Sequence, residues 1–551
     1  MNQRKSWPKG VPETVDFPMQ TVPENLIAST KRTPTRIALI FYGKEYSYSQ
    51  TLRLVEQLSG YLQSELKVKP GEPVLLFMQN SPQFIISYYA ILHAGGVVVP
   101  VNPMFKRLEV AYIQKDTNSR IVLCGSYECE SVYPLLASGK VEHIIVANYR
   151  EMADPNFDIK VPTSAVEPDT NVILSMGCNL WRDVINSMLC HQPVTRSARD
   201  LAIITYSSGT TGKPKGCMHS HYNVMVTAVG GVIWHKFEAN SISLATLPMF
   251  HVTGMQGAMN GPLYASGTIV IMLRWNREIA AELIQRYKIT RWRSISTMAI
   301  DLVNDPQIAN YDLSSLKAIG GGGAAMPAPV AHKLKELTGL DYLEGYGLSE
   351  TMAATHLNPP DQPRAQCLGI PVFNVKSCVW SPETKTRLPP NHVGEILIAG
   401  PQVFLGYWQS PIDTEDAFVI LEDTKYLRTG DIGYVDETGF FYMVDRLKRM
   451  INAAGFKVWP AEVEAIMHGH PEIAEACVIA SKHPRKGEAV KAIVVPSDLD
   501  KPPSPKKLMD WCKSNMAAYK SPTKIELVEN LPKSGSGKVM WRALTAAEQV
   551  K

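Results

Sequence analysis

Between residues 35 and 275 short β-branched runs alternate with stretches of helical character: VLLFM at 74–78, VVVPV at 97–101, RIVLC at 120–124, HIIVA at 143–147, LAIIT at 201–205 and TIVIM at 268–272. Runs that are apolar at every position belong to strands covered on both faces. A chain that reaches one after each helical stretch therefore builds layered α/β structure with largely parallel sheets. From about 150 to 200 the rhythm lapses around Pro155, Pro162 and Pro168, which reads as a surface excursion. After Pro371 the texture shifts to shorter strands and tighter turns, GEILIAG at 394–400 and FFYMV at 440–444, up to the charged run DRLKR at 445–449. The remainder reads as helix 461–468, strand 476–480, strand 490–495, helix 505–517 and strand 525–528, enough for a small α+β domain. The expected fold is thus α/β: a large N-terminal domain over 1–445, with a β-rich subdomain at about 370–445, and a small C-terminal domain over 446–551.

With 45% apolar and 20% charged residues, the 551-residue chain excludes disorder, collagen and coiled coil as whole-chain readings. Lys+Arg minus Asp+Glu is 56 − 52 = +4, too dilute for the footprint of a nucleic-acid binder. Phe84 to Val101 carries no formal charge. Gly95 and Gly96 divide it into a helical and a β-branched half, so it reads as a buried helix and core strand rather than a membrane span. The nine cysteines are scattered without a CxxC pair, and no apolar run follows Arg4, Lys5 and Lys9. The expectation is reduced thiols and a cytoplasmic protein. The oligomeric state is left open, a homodimer included.

The most informative segment is YSSGTTGKPKG, Tyr206 to Gly216, directly after the strand LAIITY. Its glycines let backbone amides bend around a phosphate chain, its hydroxyls add donors, and Lys213 and Lys215 add charge. A Walker A loop is excluded, because Ser207 stands where its first glycine belongs and Pro214 follows the lysine. The loop resembles the signature of the AMP-forming, adenylate-forming superfamily of acyl-CoA synthetases, luciferases and peptide-synthetase adenylation domains. Further matches follow in order: GGGGAAMP at 320–327, EGYGLSET at 344–351, GEILIAGPQVFLGYW at 394–408, YLRTGDIG at 426–433, DRLKRMINAAGFKVWPAEVE at 445–464 and LPKSGSGKVMWRAL at 531–544.

The resemblance implies ATP, Mg²⁺ and coenzyme A as cofactors, and it implies roles for individual residues. Ser207, Ser208, Gly209, Thr210, Thr211, Gly212, Lys213 and Lys215 would hold the phosphates, with Thr210, Glu350 and Lys538 catalytic. Gly322, Ala324, Glu344, Tyr346, Gly347 and Ser349 would frame adenine and the α-phosphate, and Glu350 would carry the metal. Asp431 would accept from both ribose hydroxyls, with Arg446 beside it. Lys538 would bridge the carboxylate and the α-phosphate, where charge builds up during attack. Lys448 matches the hinge about which the family's small domain is mobile, and Gly455 and Lys457 match the loop lining the pantetheine path.

Amino-acid-activating relatives carry an Asp where this chain has His251 in LPMFHVTG, so an ammonium-bearing substrate would lack its counterion. By the same resemblance His251, Val252, Thr253, Met255, Gly321, Gly323, Met352, Ala353 and Ala354 line the acyl pocket, with uncharged walls throughout. The partners expected are therefore a small-molecule carboxylic acid, foremost a medium- to long-chain fatty acid, with ATP and coenzyme A. A compact aryl or short thioether acid, or transfer to a carrier protein, remain alternatives. Ser296 replaces a family proline, which leaves tail length open. A non-catalytic sensor would have no need of Glu350, Asp431, Lys457 and Lys538 together.

Overall fold

The computed structural model describes residues 6–162, 170–207, 214–323, 326–446, 449–453, 456–483, 487–534 and 538–550. They form two compact units: one spans Gln3–Lys376 with Ala399–Phe418, the other Ser377–Ile398 with Val419–Lys551.

The first unit holds two large sheets. In the nine-stranded sheet the strands Ile37–Phe41, Thr268–Ile271, Ile242–Ala245, Arg291–Ser294, Ala318–Gly322 and Tyr342–Leu348 run parallel in that spatial order, with antiparallel strands added at both edges. The eight-stranded sheet has Leu201–Ser207, Val97–Pro100, Pro73–Phe77, Ile121–Gly125 and His143–Ala147 as its parallel centre. Every residue of Ile121–Gly125 and Val97–Pro100 is buried, as expected of strands covered on both faces. The uncharged stretch resolves as foreseen. Ser81 caps the helix Pro82–His93 by accepting from Phe84 N, Gly95 turns the chain at φ +89°, and the strand Val97–Pro100 follows. Among the described residues no helix is long and apolar enough to cross a membrane.

One expectation is corrected. Residues 170–186 are not a plain surface excursion: the strand Asn179–Leu180 pairs with His143–Ala147 at the sheet edge, and Trp181, Val184 and Ile185 are buried. Those three stand at i, i+3, i+4, so the short helix Trp181–Asn186 owns an apolar face that outweighs its polar neighbours.

The second unit joins a six-stranded sheet built around Gly394–Ala399, Thr424–Val435 and Phe441–Arg446 to a five-stranded sheet whose core is the pair Ile473–His483 and Gly487–Pro496. The two sheets are tied together near the end of strand Phe441–Arg446. The Asp445 carboxylate accepts from Ala461 N at 2.7 Å, at the start of helix Pro460–Met467, and Arg449 pairs with Glu464 of that helix. The elements foreseen after residue 446 are present as Pro460–Met467, Ile473–His483, Gly487–Pro496, Pro505–Asn515 and Lys524–Leu527.

Candidate active site

The strands Leu201–Ser207 and Lys215–Ser220 pair antiparallel with Ser207 opposite Lys215, so the phosphate-loop sequence connects two neighbouring strands of a hairpin. Ser208, Gly209, Thr210, Thr211, Gly212 and Lys213 lie outside the described residues. Lys215 at the hairpin base forms an ion pair with Asp413, and its ammonium sits 5.3 Å from the Tyr407 ring centroid.

The turn Ser349–Thr351 that contacts this hairpin leaves the strand Tyr342–Leu348, which carries Glu344, Tyr346 and Gly347 and is flanked by Ala318–Gly322 and Ala353–Leu357. The approach of these backbones explains two of the glycines. A Cβ at Gly347 would lie 1.8 Å from Ala353 O, and one at Gly321 1.8 Å from Ser294 O. Gly322 pairs with Gly345, and Gly323 ends the strand at φ +96°, whereas Ala324 lies outside the described residues. Tyr346 is buried, its ring tilted 60° against His356 at 5.6 Å. The Glu344 carboxylate is buried too and accepts from Gln366 N at 2.7 Å and Met326 N at 3.4 Å. Burial raises it to about 7 despite those donors. It thus braces the segment behind the strand, a structural task within the nucleotide frame assigned to it.

The 3₁₀ turn Ser349–Thr351 leaves the strand and presents Ser349 and Glu350. His219 Nε2 lies 2.7 Å from Ser349 O, and burial lowers His219 to about 4, so the ring is neutral and donates through Nε2. Tyr407 O–H donates to Glu350 Oε1 at 2.9 Å, and Phe404 N donates to Glu350 O at 2.8 Å. The Glu350 charge is also felt by the buried Cys217 thiol, which is pushed well up, chiefly by desolvation. Ser207, Lys215, Ser349 and Glu350 are therefore gathered at one place.

In the second unit Asp431 is almost fully buried and pairs with Arg446 Nε at 2.9 Å. These two strand neighbours are matched across the pairing of Thr424–Val435 with Phe441–Arg446. Lys538 comes to the same place. It is exposed by surface area, yet its ammonium stands among enough protein to lose water, which lowers its pKa; Arg446 adds to the lowering and Asp431 opposes it. Lys448 and Gly455 lie outside the described residues, and of Lys457 only the backbone is described, paired with Asn452. Lys520 of the same unit is ion-paired with Glu462.

The acyl candidates also converge. His251 caps the short helix Val252–Gly254, its Nδ1 accepting from Thr253 N at 3.3 Å, and a π-helix Met255–Asn260 continues from it. Val252 and Met255 are buried, and the helix packs beside the strand Ala353–Leu357, which carries Ala353 and Ala354. Met352 and Ala353 hold positive φ, 47° and 84°, at the bend where the chain reverses after Glu350.

Three residues of this arrangement escape sequence reasoning. Tyr407 lies inside a quoted motif, but only the fold shows that its hydroxyl holds Glu350. His219 and Asp413 carry no local signal. As for Mg²⁺, a half-buried carboxylate already oriented by a phenol fits a hard ion that arrives with phosphate oxygens. Glu350 would hold the ion, which when bound offsets phosphate charge.

Residues 26–408 match the AMP-binding enzyme family, and residues 462–538 match the AMP-binding enzyme C-terminal domain. The chain belongs to the AMP-binding enzyme family. A long-chain-fatty-acid–CoA ligase of Bacillus subtilis is 31% identical to this member over 100% of the chain and 99% of its own length. A 4-coumarate–CoA ligase of Arabidopsis thaliana is 28% identical, covering 92% of the chain and 88% of itself. Among solved structures, an anthranilate CoA ligase in complex with anthranoyl-AMP superposes with TM-score 0.84 at 24% identity, over 100% of this chain and 99% of that one, and shares the fold. This AMP-binding enzyme is an adenylate-forming acid–thiol ligase that uses ATP and coenzyme A.

Proposed function

We propose that the chain activates a carboxylic acid of medium or long apolar tail to an acyl-AMP with release of pyrophosphate, then transfers the acyl group to coenzyme A and releases AMP. The carboxylate oxygen attacks the α-phosphorus, so the new bond is O–P and the bond broken joins the α- and β-phosphates. Charge on the phosphates must be offset during that attack. Lys215, Ser349 and the loop residues 207–213 bind the phosphates, Asp431 accepts from the ribose, and Lys538 brings a cation to the reacting oxygens. Thiolysis of the anhydride then needs only the coenzyme A thiol near the acyl carbon, for which Gly455 and Lys457 are the proposed lining residues and Lys448 the turning point between steps.

The observation carrying this reading is the joint fixation of Ser349 and Glu350 by His219 and Tyr407 beside the phosphate hairpin. The apolar walls at Val252, Met255 and Met352 and the fatty-acid ligase among the relatives support a chain-like tail. The 4-coumarate ligase keeps an aryl acid as the second reading. Acid-dependent exchange of labelled pyrophosphate into ATP over a panel of acids is the test, with AMP as the product once coenzyme A is added. Formation of ADP and orthophosphate would overturn the proposal, and an aryl-biased panel would replace the fatty acid by the second reading.

A further inference from the structure

The loop that leads from the strand Ile242–Ala245 of the nine-stranded sheet into His251 is held by a side chain from the other sheet. Asn80 follows the strand Pro73–Phe77 of the eight-stranded sheet and is buried. Its Nδ2 donates to Leu247 O at 2.9 Å, and its Oδ1 accepts from Met249 N at 2.8 Å. A carboxamide donates and accepts at one end, so one residue engages both groups across 167 and 169 positions of chain. Leu247 and Met249 are themselves buried, and a buried backbone group that loses its partner is costly.

Asn80 is a fixed point. Before it, Gln79 N donates to Tyr149 Oη at 2.8 Å and Gln79 Nε2 to Glu128 Oε1 at 3.1 Å, while Tyr149 donates to Glu128 Oε2 at 2.9 Å. After it, Ser81 Oγ accepts from Phe84 N and starts the helix Pro82–His93. The loop that Asn80 grips in turn places the acyl candidates. His251 N donates to Pro248 O at 3.1 Å, and Met255 N to His251 O at 2.9 Å. Gly254 closes over the same segment: a Cβ there would lie 2.1 Å from Pro248 O and 2.8 Å from Leu247 O. Val252 and Met255 therefore stand where the backbone of 247–249 puts them. The start of the loop has a separate tie, since Thr246 Oγ1 donates to Arg293 O at 3.2 Å and accepts from Trp292 Nε1 at 3.0 Å. Thr246 holds the loop to its own sheet, and Asn80 holds its turn. The nucleotide candidates of this unit are carried by other elements, the hairpin of Leu201–Ser207 with Lys215–Ser220 and the strand Tyr342–Leu348.

We propose that Asn80 is a positioning residue for the acyl pocket: by gripping Leu247 O and Met249 N it sets the place of His251, Val252 and Met255, and with it the affinity and the tail selection for the acid. The proposal rests on the ligase reading above, which assigns those three residues to the acid. An apolar wall discriminates between tails by small factors for each methylene, and it does so only while it stays in place.

Pyrophosphate–ATP exchange is measured on the full-length protein with octanoate, dodecanoate, hexadecanoate and benzoate, and binding of the same acids is measured by calorimetry. N80A should raise the KM for the preferred acid about tenfold and narrow the spread among the acids, with the KM for ATP within about twofold of the parent. Q114A is the matched control. Gln114, in the helix Arg107–Thr117, is also a buried carboxamide, donating to Ser119 O at 3.0 Å and Lys140 O at 2.7 Å, so Q114A should lower the thermal midpoint alone. An N80A that behaves like Q114A, or that raises the KM for acid and for ATP alike, overturns the inference and leaves the ligase reading intact. A wild type that binds the acids without any exchange sinks the ligase reading. The calorimetric ratio then decides the inference: weakening of about tenfold in N80A supports it, and equal binding overturns it. Should N80A not fold, N80D, which is isosteric and still accepts from Met249 N, is judged by the same criteria.

Discussion

Tyr407→Phe removes one oxygen from the site and little else. The ring packs edge-on against Phe404, centroids 4.8 Å apart at 74°, and phenylalanine keeps that contact. What is lost is the donation to Glu350 Oε1 at 2.9 Å. A hydrogen bond to a charged group contributes about 1.5–3 kcal/mol, and partial exposure of both partners favours the lower end. A loss of ~1.5 kcal/mol is about a tenfold effect. Burial and the adjacent Glu350 hold the Tyr407 hydroxyl far above its usual range, so it donates throughout the working pH window. The defect should therefore be independent of pH. The assay is pyrophosphate–ATP exchange titrated with Mg²⁺: Y407F should need more Mg²⁺ for half-saturation and lose about tenfold in kcat/KM for ATP, while its thermal midpoint stays near that of the parent. Parental exchange at every Mg²⁺ concentration would refute the claim that Tyr407 orients Glu350 for the metal.

Lys538→Ala should lower acyl-AMP formation by orders of magnitude yet spare thioester formation from supplied acyl-AMP; equal losses in both half-reactions would remove its proposed role. Because desolvation and Arg446 lower the Lys538 pKa, the alkaline limb of the adenylation rate should sit below the ordinary lysine range. R446M, which removes the like charge, should move that limb upward, a shift read from the pH profile whatever its effect on rate. Burial raises the folded Glu344 carboxyl to about 7, above the ordinary carboxylate range it has in the unfolded chain, so the folded state binds the extra proton and stability falls as pH rises through that window. In E344Q the fall should flatten relative to the parent by up to about 1.4 kcal/mol per pH unit, measured by urea unfolding at pH 5, 6 and 7. Gly347→Ala forces a Cβ to within 1.8 Å of Ala353 O, and should cost several degrees of thermal midpoint together with most of the ATP affinity; a neutral outcome would mean that the two strands can part without harm.

Some features of this chain are local properties and were legible in its sequence. Residues apolar at every position, as in Ile121–Gly125, have only a doubly covered strand to go to, and Ser81-Pro82 before an apolar run starts a helix. The ordered motifs that contain Ser207, Glu350, Asp431 and Lys538 are likewise local strings of the chain. At residues 170–186 the i, i+3, i+4 spacing of Trp181, Val184 and Ile185 outweighs the prolines upstream and draws the segment onto the sheet edge. Other features are pairings between distant segments, on which short-range pattern is silent. Lys215 meets Asp413 across 198 residues and Glu350 meets Tyr407 across 57, because the antiparallel pairing of Gly406–Tyr407 with Lys215–Ser220 brings residues 399–418 to the hairpin. Side-chain chemistry and local backbone preference are written residue by residue. The company each charge keeps is decided by the fold, since electrostatic partners are chosen by distance in space and not along the chain.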